Sequence, residues 1–270
     1  MKITFIIISI LSLTACQGQL IDTAGTTIEA RFKVPNGFVR VEAKANSYEK
    51  YLRTLPLKKH GELVKHYDGT TKLNNRVYSA VVNLKIGKRD LHQCADAVMR
   101  LRAEHLWKQK KYDKIHFNFT NGFVADYNSW RSGKRIVVKG NNVKWVHSAA
   151  PSNSYAVFWK YLEMVFMYAG TSSLSKELTS VKINEMKIGD VFIKGGFPGH
   201  TVIVVDMAVN PITGKKLFLL AQSYMPAQET QILMNPKFRA KGCWYDANFG
   251  STLSTPEFTF YDNELMRFRN

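Results

Sequence analysis

The stretch from Gly189 to Gln222 constrains this chain more than any other. Gly189-Asp190 reads as a turn, Val191-Phe192-Ile193 as a short strand, and Lys194 to Gly199 as a glycine-rich loop around Pro198. The run His200-Thr201-Val202-Ile203-Val204-Val205-Asp206 predicts a longer strand. Asn210 to Gly214 predicts a turn, and Leu217 to Gln222 the strand that returns from it. Helical spacing lies earlier. Ser47 opens a short helix stopped by Pro56, a second runs from about Leu91 to Lys110, and a third covers 154–169 before Gly170. The segment Val77 to Ile86 alternates as a strand does, 115–147 reads as irregular and strand structure, and Phe258 to Tyr261 as a short strand. Helices early and hairpins late predict an α+β fold on a mainly antiparallel sheet.

The N-terminus carries a different signal. One lysine precedes the apolar run from Ile3 to Leu13, which is too short to span a bilayer and is followed by small residues. Leu13-Thr14-Ala15-Cys16 resembles the lipobox of bacterial lipoproteins, which are cut before the cysteine and acylated on its thiol. That resemblance implies a signal peptide over 1–15, lipid such as palmitate on Cys16, and a tether over 16–28. A globular α+β body over 29–270 follows, with 29–88 as its N-terminal part and 89–270 as its core. The expected location is the cell envelope, with the outer membrane as the lipid-anchored surface.

Residues 1–15 contain one lysine and no acid, so cleavage lowers the net charge from +17 to +16. The basic residues are scattered, as in Lys58-Lys59, Lys108 to Lys111 and Lys215-Lys216, without an aromatic-basic RNA motif or a helix-turn-helix pattern. Nucleic acid is therefore not an expected partner; anionic headgroups or cell-wall polymer are.

With Cys16 acylated, Cys94 and Cys243 remain. Asp90-Leu91-His92-Gln93 has the spacing of a capping box, which places Cys94 in the first turn of its helix, and Glu104 and Lys108 stand at i,i+4. A thiol there meets unpaired N–H groups that favour a thiolate and can hold an oxyanion. Two other readings stand beside it: a core cysteine in line with Val98 and Leu101, or a disulfide to Cys243. His200 opens its strand at the sheet rim, where a neutral imidazole can serve a thiol as base.

Gly189-Asp190-Val191-Phe192 with Gly199-His200 to Val205 resembles the second half of the papain-like NlpC/P60 and CHAP domains of bacterial cell walls. The resemblance implies a papain-like fold in which a helix-start cysteine packs on the sheet. Cys94 takes the place of the nucleophile and His200 that of the base. The orienting residue comes from the strand after the hairpin, where Gln222 is preferred to Ser223: pairing Val202 with Gln222 puts Gln222 diagonal to His200, whereas a one-residue slip presents Ser223. Gln93-Cys94-Ala95 departs from the usual Asp-Cys-Ser, and glutamine is an unusual third member. A non-catalytic domain of the same fold that binds peptide or glycan is therefore the alternative to a cysteine amidase. The full chain also resembles an uncharacterised family of secreted bacterial lipoproteins through Gln93 to Asp96, Gly199 to Asp206 and Ala221 to Gln228.

Trp130, Ser223 and Tyr224 are candidates to line a substrate groove, with Tyr127 and Trp145 as further aromatics. The seven histidines show no His-Glu-x-x-His spacing and the cysteines no Cys-x-x-Cys. No phosphate-binding glycine loop is present, so neither a metal nor a cofactor is expected.

Overall fold

A computed structural model describes residues 20–237 and 242–269. The signal segment 1–15 and Cys16 lie outside the described residues. The expected tether is folded over its described part. Lys33 N donates to Leu20 O and Asp22 N to Arg31 O, each at 2.8 Å. The buried Arg31 donates from Nε to Gly25 O at 2.8 Å. Only glycine fits at 25, where a Cβ would lie 2.5 Å from Ala30 C. The small polar composition of this segment conceals its order because the partners that hold it lie downstream.

The first helix is α1 (Ile28–Arg31), where Thr27 Oγ1 accepts from Ala30 N at 3.3 Å. Then come β1 (Val39–Arg40), α2 (Tyr48–Arg53) and β2 (Tyr78–Val81). Ser47 caps α2 as its spacing predicts, accepting from Lys50 N at 3.1 Å. The long helix α3 (Cys94–Lys108) follows. A hairpin-rich region holds β3 (His116–Asn118), β4 (Val124–Asp126), α4 (Tyr127–Arg131), β5 (Lys134–Lys139) and β6 (Asn142–His147). Next are α5 (Tyr155–Tyr168), α6 (Thr171–Glu177) and β7 (Thr179–Ser180). The patterned third supplies β8 (Val191–Lys194), β9 (His200–Val209) and β10 (Lys216–Gln222). The tail adds β11 (Gln231–Leu233), β12 (Tyr245–Asp246), β13 (Thr252–Ser254), β14 (Thr259–Tyr261) and β15 (Leu265–Arg267).

The principal sheet runs β2-β11-β10-β9-β8-β15-β7, with β1 paired to β9 and β12 to β10. All of these pairings are antiparallel. The central strands β8, β9 and β10 are buried almost throughout, consistent with their unbroken apolar character. The fold is thus mixed α and β on a mainly antiparallel sheet.

Helix α3 is buried on nearly every side and packs against β9, α2, α5 and α6. Two of its interior polar residues pair with each other. Glu104, expected to pair with Lys108, instead accepts from Arg100 Nε at 3.4 Å and from Tyr155 Oη at 2.5 Å. Arg100 and Glu104 face the core together, whereas Lys108 is exposed. At the far end of β9, the fully buried Asp206 accepts from Arg53 Nε at 2.6 Å and Arg40 Nε at 2.8 Å. That carboxylate anchors the N-terminal segment on the sheet, because losing it would leave the buried Arg53 cation without its ion pair.

Candidate active site

Three segments meet at the start of α3. The cap predicted at Asp90 is displaced: Gln93 takes the cap position, and its main-chain N–H donates to Asp96 Oδ2 at 2.9 Å. Asp90 Oδ1 accepts instead from Gln93 Nε2 at 3.0 Å and from Ala227 N at 2.7 Å. The loop after β10 fixes the residues ahead of the helix. Ser223 Oγ lies 2.8 Å from His92 O and 2.7 Å from Gln228 O. Gln228 N donates to His92 O at 3.3 Å. These cross-links delay the helix from Leu91 to Cys94, so the thiol stands at its first residue.

His200 opens β9, opposite Lys194 on β8. A Cβ at Gly199 would lie 2.3 Å from Gly196 O and 2.4 Å from Thr171 Oγ1, so the loop can turn this tightly only with glycine there. The β9–β10 register pairs Ala221 with Ile203, which carries Gln222 to the diagonal of His200. His200 Nε2 and Gln222 Oε1 are 2.8 Å apart. The other end of the same amide donates from Nε2 to Glu257 Oε2 at 2.6 Å, and Lys72 Nζ holds both Glu257 oxygens at 2.7 and 2.8 Å.

This chain of contacts fixes a proton. A carboxylate can only accept, so Gln222 must turn its NH2 to Glu257 and its carbonyl to His200. His200 Nε2 must then carry the hydrogen, which leaves Nδ1 as the basic nitrogen. Lys72, Glu257 and Gln222 thereby select one tautomer of the imidazole.

The electrostatics differ from those expected of a helix-start thiol. Burial, then the nearby Asp96, push the Cys94 thiol up to about 11, against the N–H groups of Ala95, Cys94 and Thr201. Asp96 is itself raised well above the carboxylate range by burial, which the Gln93 N–H only partly opposes. Burial also pushes His200 down to about 4, with Lys72 adding to the shift and the Gln222 hydrogen bond opposing it. Both partners rest neutral at pH 7. Helix-terminus N–H groups are present as the sequence implies; desolvation outweighs them because Cys94 is only 9% exposed and His200 2%.

Aromatic rings enclose the imidazole: Tyr224 at 4.9 Å, Phe258 at 5.2 Å and Phe260 at 6.0 Å between centroids. The Thr201 N–H that reaches Cys94 belongs to the residue after His200, which brings the start of β9 to the start of α3; no hydrogen bond joins the thiol to the imidazole among the described residues. Tyr224 lies in the same place, where burial first and then Glu257 raise its hydroxyl. Of the other groove candidates, Trp130 is buried against Tyr161, donates from Nε1 to Val157 O at 3.0 Å and lies beneath Arg135. It belongs to the aromatic core that links α4 to α5, as does Tyr127. Trp145 packs against Phe123. Ser223 is fully buried and its hydroxyl is engaged by backbone, so it shapes the site and does not line a groove.

The disulfide alternative is overturned. Both Cys94 and Cys243 are free, and Cys243 Sγ packs 3.8 Å from Met234 Sδ at the end of β11. Lys72, Asp96 and Glu257 escaped the sequence reading. Glu257 sits beside Pro256 in a turn-rich tail, and no local spacing connects it to Gln222.

No curated protein and no solved structure matches the chain. Residues 28–267, from the start of α1 to the end of β15, match the family described as Domain of unknown function (4846), and the chain belongs to that family.

Proposed function

We propose that this protein is a cysteine amidase or peptidase on a papain-like core, cutting peptide or cell-wall amide bonds. It works at a bacterial membrane, the outer membrane in our reading, held there by lipid on Cys16. The observation that carries the reading is the 2.8 Å contact between His200 Nε2 and Gln222 Oε1, on the strand whose next residue, Thr201, turns its N–H toward the helix-start Cys94. It leaves Nδ1 as a base in the neighbourhood of the thiol. Cys94 Sγ attacks the amide carbonyl and its proton passes to Nδ1. The N–H groups at the start of α3 stabilise the oxyanion. The imidazolium returns the proton to the leaving amine, and water then hydrolyses the thioester with His200 again acting as base. The thiol rests protonated in this scheme, so deprotonation belongs to the attack itself. Hydrolysis of peptides and cell-wall fragments by the full-length chain, measured with and without Cys94→Ser, tests it. The substitution should remove all turnover with the fold intact; unchanged turnover would end the assignment. Incorporation of labelled palmitate, lost in Cys16→Ser, tests the anchor.

One observation favours a second reading. The burial of Cys94 and His200, with the thiol near 11, suits a domain that binds peptide or glycan without cutting it. In that case Cys94→Ser leaves ligand binding unchanged and no substrate is turned over.

A further inference from the structure

A cavity of about 560 Å³ lies at the other end of α3 from the thiol, within the usual size of small-molecule sites. Arg102, Lys111, Lys114, Lys187 and Arg267 line it, against the acids Glu49 and Asp190. Asp190 is already engaged by Arg267, whose Nε and Nη2 lie 2.6 and 2.8 Å from its two oxygens. The other four cations form no ion pair among the described residues, and one carboxylate faces them.

Of the four, Arg102 lies against aromatic rings. Its guanidinium lies 5.2 Å from the ring of Tyr48 and 5.6 Å from that of Phe268. Aromatic faces hold the fork in place without using its N–H groups, which make no hydrogen bond among the described residues. A fixed guanidinium with free donors suits an oxyanion. Two more groups await a partner: Tyr48 Oη and Gln109 Oε1 are buried without a hydrogen bond, and both residues line the cavity. At its wall His105 is driven down to about 4, by burial first and then by Arg102 and Lys111, which reports the positive field.

We propose that this cavity binds a phosphate monoester, with Arg102 as the fork and Lys111, Lys114 and Lys187 as surrounding point charges. Four cations against one acid match a dianion better than a single carboxylate. The orphaned Tyr48 hydroxyl and Gln109 carbonyl suit an oxygen and a hydroxyl on the alcohol side of the ester. This site is independent of any chemistry at Cys94.

Calorimetric titration of the full-length chain at low salt, with glycerol 3-phosphate as probe and glycerol as control, tests the proposal. A parallel arm uses vesicles of phosphatidic acid in phosphatidylcholine, since a lipid headgroup presents the same monoester. Saturable one-site binding of either phosphate probe is expected, with none of glycerol. Binding of the soluble ester identifies a soluble source, and binding of vesicles alone a lipid source. Arg102→Ala should weaken binding at least tenfold and Arg102→Lys less. The pair Lys111→Ala with Lys114→Ala, on exposed positions, should also weaken it about tenfold. The pair Lys139→Ala with Lys144→Ala on the β5–β6 hairpin should leave it unchanged. Absence of saturable binding of both phosphate probes overturns the site, as does an equal loss from the hairpin pair.

Discussion

The two ends of α3 meet opposite electrostatic conditions. At its N-terminus, Cys94, Asp96 and His200 are buried, and burial keeps thiol and imidazole neutral. Toward its C-terminus, Arg102 and the lysines beyond it remain charged around an open cavity with few acids to answer them. The same helix thus carries at one end a thiol kept neutral by burial and, toward the other, fixed charges with few acids to answer them. Desolvation sets the first end and Coulomb attraction the second, so salt and pH should act on them separately.

The largest effect is expected at the thiol. Cys94→Ala should lower amide hydrolysis by a factor on the order of a thousand or more, measured by product release from a peptide substrate. Gln222→Ala should cost on the order of a hundredfold in kcat, because the imidazole loses its tautomer and its orientation together. Glu257→Gln should cost on the order of tenfold, since its new amide lets Gln222 turn over. Nitrogen NMR of His200 provides a readout beyond rate. The wild type should show hydrogen on Nε2, and Glu257→Gln a mixture of tautomers.

The pH dependence sharpens the contrast further. His200 titrates near 4 when folded and near its ordinary 6.5 when unfolded. Between those values the unfolded chain binds a proton that the folded chain refuses, so stability falls as pH drops from about 6.5 toward 4. The shift is worth roughly 3 kcal/mol for so buried a group. His92, pushed down to about 3 by burial and then by Arg100, acts in the same direction. Denaturant midpoints at pH 7 and pH 4.5 should show the drop, and His200→Gln should reduce it. A kinetic check follows from the raised thiol: iodoacetamide labelling of Cys94 should rise about tenfold per pH unit from 7 to 10 without a plateau near neutrality.

Much of this arrangement was legible where it rests on local spacing. The alternation of β9 and β10 and a short turn place Gln222 diagonal to His200, because side-chain period and register are local properties. Ser47 could be read as a cap for the same reason. The helix start at Cys94 could be read only approximately. Asp90 has the composition of a cap, yet contacts from Ser223, Ala227 and Gln228, all distant in the chain, move the first turn onward. The thiol's resting state was not legible, since desolvation depends on what packs over α3. Nor was Glu257, whose contact with Gln222 spans the tail, or the core position of Trp130, since an aromatic residue has the same composition in a groove and in a core. Residues 20–28 carry no periodic apolar pattern, and their order comes from Phe32, Lys33 and Leu55.

In the proposed reaction His200 activates Cys94, and trapping the thiol tests that step. The full-length chain is incubated at pH 7 with a peptidyl chloromethyl ketone and the adduct is located by mass spectrometry. A single adduct on Cys94, none on Cys243, and loss of labelling in His200→Ala are the predicted results. Absent labelling of Cys94, or labelling indifferent to His200→Ala, would rule that step out.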